Sequence, residues 1–185
     1  MEPLSDAAVI DATRRWLERA VIGLNLCPFA KAVHARRQIR WVVSRATSES
    51  ALLADLQHEL QSLAAADPQA VDTTLLIHPE VLQDFHAYNQ FLGRADRAIV
   101  KLQLQGVLQA ASFHPHYQFH DCEPDDVANC SNRSPFPMLH LLRESSIDRA
   151  VAAFPEAETI YDANIRTLRR LGRSGWDALW RDPEA

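Results

Sequence analysis

Residues 73–79 read T-T-L-L-I-H-P, and residues 107–115 read V-L-Q-A-A-S-F-H-P. Each is a short apolar run that stops at His-Pro, as a buried strand does when it leaves a sheet. Between them Val81, Phe85, Tyr88, Leu92, Ala95, Ile99 and Leu102 keep a spacing of three and four. That spacing predicts a long amphipathic helix opened by Pro79, with Gly93 as a weak point. Upstream, residues 38–44 (Q-I-R-W-V-V-S) have the β-branched and aromatic content of a strand. A helix over 48–66 follows, capped by Ser48, with Leu52, Leu53, Leu56, Leu60 and Leu63 on one face. Asp67-Pro68 ends it.

The order strand, helix, strand, helix, strand predicts an α/β fold. Its centre is a small three-stranded sheet, parallel or mixed, flanked by helices. Further helices are expected at both chain ends. Ser5 can cap the first, whose positions Val9, Thr13, Trp16, Leu17, Ala20 and Leu24 follow a 3.6 period, with Gly23 marking its end. Downstream, Ser134-Pro135 reads as the start of a helix carrying Met138, Leu139, Leu141 and Leu142, with His140 as a core histidine within it. Ser145 or Ser146 then offers a cap for 147–154, and Pro155 opens a last helix. That helix has Glu156 and Glu158 in its first turn, Arg166, Arg169 and Arg170 in its last, and Gly172 as its stop. Trp176, Leu179 and Trp180 pack a final turn on the body.

At 185 residues and 47% apolar content, the chain is expected to form one ordinary soluble domain, residues 1–185. Net charge is −5 without a basic block. The doublets Arg14/Arg15, Arg36/Arg37 and Arg169/Arg170 read as solvated helix faces, so no nucleic-acid partner is expected. No apolar run reaches a membrane span, and the acidic start M-E-P-L-S-D is no secretory signal. Three cysteines suit reduced thiols in a cytoplasmic protein. The five glycines form no phosphate-cradling cluster, which excludes a P-loop or dinucleotide fingerprint.

Chemistry-bearing residues crowd into 112–140, where His114, His116, His120, His140, Cys122, Cys130 and Arg133 lie in one stretch without glycine. A long loop of that composition is more often functional than not. Parallel strands would bring His78 and His114 to the same carboxyl edge of the sheet, where α/β proteins bind ligands, and Arg45 could join them. Cys27-Pro28, His78-Pro79 and Ser134-Pro135 share a device: a polar side chain before a proline that can open a helix. At such a cap the helix field favours a Cys27 thiolate and a neutral His78. Cys27, His78 and His114 are therefore the candidate catalytic residues, as a thiol/imidazole pair or as three ligands for a zinc-type divalent metal. The bland alternatives stay open: Cys27 as a buried apolar residue, and the two histidines as caps or loop fasteners. His120, Cys122 and Cys130 match no zinc spacing, and Asp121, Glu123, Asp125 and Asp126 read as a solvated loop. Arg133, with Asn132, Ser134 and Tyr117, is the candidate clamp for an anionic substrate. Its alternative is a salt bridge to the loop acids.

The segments L-N-L-C-P-F-A-K (24–31), S-F-H-P-H-Y-Q-F (112–119) and N-R-S-P-F-P-M-L-H-L-L-R-E (132–144) resemble the bacterial family catalogued as domain of unknown function 1415. The resemblance runs from about Thr13 to Trp180. It implies a small single-domain protein and brings no activity, cofactor or catalytic residue with it. It singles out Asn25, Cys27, Pro28, His114, Pro115, Tyr117, Asn132, Arg133, Ser134, Pro135 and His140 as motif positions; Cys122 and Cys130 depart from the pattern.

Three functions follow from these residues. The first is an enzyme, a metal- or Cys/His-dependent hydrolase, acting on a small anionic molecule at the carboxyl edge of the sheet. The second is a non-catalytic domain that binds a metabolite, a metal or a protein. The third is a thiol-redox protein using Cys27 alone, which no C-x-x-C supports.

Overall fold

A computed structural model describes residues 4–153 and 159–181. Its centre is a four-stranded sheet of order β1-β2-β4-β3, made of β1 (Ile39–Val43), β2 (Thr73–Ile77), β3 (Leu108–Phe113) and β4 (Met138–Arg143). β1 and β2 pair in parallel across the helix α3 (Glu49–Ala65). β4 lies between β2 and β3 and runs antiparallel to both. The three strands read from the sequence therefore all point one way, as expected, but the sheet is mixed and has a fourth member.

That fourth strand corrects the helix expected over 134–142. The run M-L-H-L-L-R is apolar at almost every position, so its periodicity cannot separate a helix turn from a strand covered on both faces. Central placement decides it: Leu139 and Leu141 face one layer, while Met138 and His140 face the other. β4 passes directly into α5 (Glu144–Ala153), so the fresh cap expected at Ser145 or Ser146 is not used.

Helices cover both faces. On one side α3 and α4 (Phe85–Lys101) close over Leu76, Leu108, Leu139 and Leu141. Ser48 and Asp84 cap these helices by accepting the amide N–H of Ala51 and Ala87. On the other side lie α1 (Asp6–Trp16), capped by Ser5, and α6 (Ile160–Ala178), packed over Leu75, Ile77, Met138 and Cys130. α1 runs on into a π-helical turn, Leu17–Ile22, and a short helix α2 (Ala30–Ala35) leads to β1.

Two buried charges tie the α3 layer down. The Arg143 guanidinium donates to the carbonyls of Leu63, Ala66 and Val71, closing the C-terminus of α3 where the helix dipole favours a cation. Glu59, facing the sheet from α3, receives two bonds from Arg40 of β1 at 2.8 and 3.1 Å. No described helix is long and apolar enough to cross a membrane.

The chain's last helix is not stopped at Gly172 but kinked there. Gly172 takes φ 69° and ψ 174°, a region essentially closed to other residues, and the helix resumes beyond it. The expected helix start at Pro155, with Glu156 in its first turn, lies outside the described residues.

Candidate functional site

Beyond the carboxyl end of β3 lies a cavity of about 560 Å³. Three elements build it. α1 and its π turn contribute Arg15, Trp16 and Arg19, spaced to share one helix face. The kinked end of α6 contributes Arg173 and Trp176, and the turn after it Trp180. The loop between β3 and β4 supplies Pro115, His116, Arg133, Ser134 and Pro135.

The loop wall is fixed by bonds to backbone. Trp16 Nε1 donates to the carbonyl of Arg133 at 2.7 Å, and the Trp16 ring meets Phe113 edge-on at 5.3 Å. Arg133 donates from Nε to Tyr117 O at 3.1 Å and from Nη2 to Pro124 O at 2.6 Å. Asn132 Nδ2 donates to Ser112 O, and Asn132 O accepts from the His114 amide. Ser134 Oγ donates to Phe136 O. Asn129, fully buried, accepts from the Phe119 amide and donates to Glu123 O, which holds the middle of the loop.

Electrostatically the cavity is one-sided. Arg15, Arg19, Arg133 and Arg173 line it with His116, and among the described residues no carboxylate lines it. Arg19 also donates to Leu179 O, and Arg173 pairs with Asp177 at 3.3 Å. A chain of net charge −5 thus gathers four guanidiniums at one concavity.

The histidines singled out from the sequence lie elsewhere. His78 and His114 do meet at one edge of the sheet, flanking Tyr88 on the α3/α4 side. Their ring centroids are 5.9 and 5.0 Å from that of Tyr88. Both are fully buried. His114 Nε2 donates to Leu82 O, because its Nδ1 must accept the His116 amide. His78 Nδ1 donates to Val81 O, and its Nε2 has no partner among the described residues. Burial lowers the pKa of both, that of His78 to about 4. Tyr88 Oη donates to Met138 O and accepts from the Phe113 amide, and burial pushes its phenol up.

Cys27 does not join them. It packs with Trp16, Leu26 and Cys130 in the apolar cluster on the α1/α6 side of the sheet. Among the described residues no group of three or more His, Cys, Asp or Glu is placed to hold a metal ion. The zinc-type set of Cys27, His78 and His114 is therefore not assembled. All three cysteines are free, and burial raises the pKa of Cys122 and Cys130.

The shared Xaa-Pro cap also fails at each place, for one reason: the proline does not open the helix. α4 is capped by Asp84, six residues beyond His78. The six-residue helix α2 is capped at Phe29, not Cys27, and Ser134-Pro135 leads to a strand. Burial, not a helix field, keeps His78 neutral. Arg45, just past β1, is engaged by Asp6, Glu80 and Leu4 O. Arg133 sits at no helix start and pairs with no loop acid among the described residues; its partners are carbonyls. Tyr117 sets its ring against Phe85, tilted by 55° at 5.2 Å, and gives Arg133 only its carbonyl. His140, on β4, donates to Thr73 Oγ1, which itself donates to Leu141 O; burial lowers its pKa to about 4.

Arg15, Arg19, Arg173, His116, Trp176 and Trp180 escaped the sequence reading as site residues. The available signal was arginine and tryptophan sharing one face at both chain ends. Nothing local says that those two faces meet.

The protein is thus a mixed-sheet α/β protein with an arginine-lined cavity beyond one strand end. A family model described as "Protein of unknown function (DUF1415)" matches residues 8–178, and the chain belongs to that family. No curated protein and no solved structure matches it.

Proposed function

We propose that this protein binds a small organic anion in the cavity between α1, α6 and the β3–β4 loop. One observation carries the reading: four guanidiniums line a concavity of about 560 Å³ to which no carboxylate among the described residues contributes. Guanidinium forks match carboxylate and phosphate oxygens, and a cavity of this size suits a metabolite. The wall is preformed, since Arg133 and Trp16 are already fastened to backbone. Calorimetric titration of the full chain with inorganic phosphate, citrate and benzoate tests it. At least one should bind in the millimolar range or tighter, more weakly as salt rises. Absence of heat from all three at low salt removes the proposal.

Turnover of the bound anion is a second reading, favoured by His116, an exposed imidazole at the cavity wall. It keeps the hydrolase expected from the sequence but moves the acid/base group from the buried His78 and His114 to His116. Loss of hydrolysis, with binding retained, in His116→Ala would support it; equal rates in both proteins would reject it.

A further inference from the structure

The cavity has a second property beyond charge. Trp180 leaves 40% of its surface exposed at the wall, and Trp176 holds it edge-on, with centroids 5.4 Å apart and planes at 77°. Trp176 is itself buried in the cluster beneath. An indole wedged by a second indole has few rotamers left to lose, so it offers a ready stacking face. Beyond the kink at Gly172 the chain brings this pair, with Arg173, to the cavity that Arg15 also lines.

The cavity therefore combines an aromatic platform with the guanidiniums of Arg15, Arg133 and Arg173. A phosphate monoester is a dianion with three terminal oxygens, enough for two guanidinium forks. Its ester oxygen can carry a flat ring to the platform. Trp16 cannot read polar groups on that ring, because its Nε1 is already bonded to Arg133 O. Trp180 meets the ring by its face.

From this geometry we infer that the ligand is a phosphate monoester bearing a planar ring, the class to which nucleoside monophosphates belong. The inference rests on the anion-binding reading above. Arg15, Arg133 and Arg173 take the phosphate, and Trp180 takes the ring.

Calorimetry on the full chain with adenosine monophosphate, inorganic phosphate, adenosine and benzoate tests it. Adenosine monophosphate should bind about tenfold tighter than phosphate or more, within the range of one base–aromatic stack. Trp180→Ala should erase that advantage and leave phosphate affinity unchanged, while Trp180→Phe should restore it. An unchanged far-UV spectrum confirms that the variants fold. Equal affinities for adenosine monophosphate and phosphate would overturn the ring and leave the anion site standing. Benzoate binding as tightly as adenosine monophosphate would overturn the phosphate, and an advantage that survives Trp180→Ala would overturn the platform. If no probe binds, the anion site fails with it.

Discussion

Two polar regions flank the end of β3, and they are built on opposite terms. On the α3/α4 side, His78, Tyr88 and His114 are sealed, neutral, and bonded to backbone carbonyls and amides. On the α1/α6 side, the arginines of the cavity line open space. The boundary falls between His114 and His116, whose ring centroids are 5.9 Å apart. The buried rings hold the 78–84 segment through the carbonyls of Val81 and Leu82, and hold the loop turn through the His116 amide. A cluster of chemically capable side chains can thus serve as a fastener, while residues usually read as surface charge make the concavity.

The comparison breaks if disturbing the sealed side alters binding directly. Tyr88→Ala removes a fully buried ring and orphans the Phe113 amide and the Met138 carbonyl. Expected is a loss of about 3–5 kcal/mol in urea unfolding, with ligand affinity unchanged in the folded fraction. A stable variant with lost binding would show that the two regions are one site.

Acid should act on the sealed side next. An unfolded histidine takes its proton near 6.5, whereas folded His78 resists until about 4. In that interval the unfolded chain binds more protons, so stability is full above pH 6.5 and declines as pH falls towards 4. For His78 the gap corresponds to about 3 kcal/mol. His114 beside it, and His140 buried on the other face of the sheet, are also lowered by burial and add to the same decline. Urea midpoints across that range should fall, and His78→Phe should flatten the curve by its share. An unaltered slope in that variant would place the titration elsewhere.

On the open side, Arg15→Ala should weaken anion binding by about tenfold or more, as loss of a charged hydrogen-bond donor does. Stability should barely change, because Arg15 is exposed at the end of α1. Calorimetry beside urea unfolding separates the two readouts. Unchanged affinity would remove Arg15 from the site.

Much of the sheet was legible because β1, β2 and β3 sit between helices whose caps and stripes are local signals. Ser5 and Ser48 cap as expected, and the leucines of α3 face the core. β4 was not legible, since Met138–Arg143 is covered on both faces and carries no period to read. The meeting of His78 with His114 followed from strand direction alone. Their burial did not, because it depends on Phe85 and Tyr88 of α4 closing over them. The cavity was half legible: Arg133 stood out in its motif, but its opposite walls come from α1 and α6. Their approach is fixed by long-range packing, and by one glycine.

That glycine sharpens the comparison with the smallest effect. Gly172 is the point at which α6 turns Arg173, Trp176 and Trp180 towards α1. Among the described residues, nothing beyond the neighbouring chain of the helix itself lies within 4 Å of where its Cβ would be, so a methyl group meets open space and the cost is that of the backbone. At φ 69° and ψ 174° an alanine is strained by at least about 1 kcal/mol. The helix can relieve that strain by straightening, which would carry the tryptophan pair off the wall. Gly172→Ala should therefore lower stability slightly and ligand affinity by more than the strain alone implies. The sealed side offers the control, since its pH-dependent decline should persist unchanged. A variant that loses stability but keeps full affinity would show that the kink does not set the cavity wall.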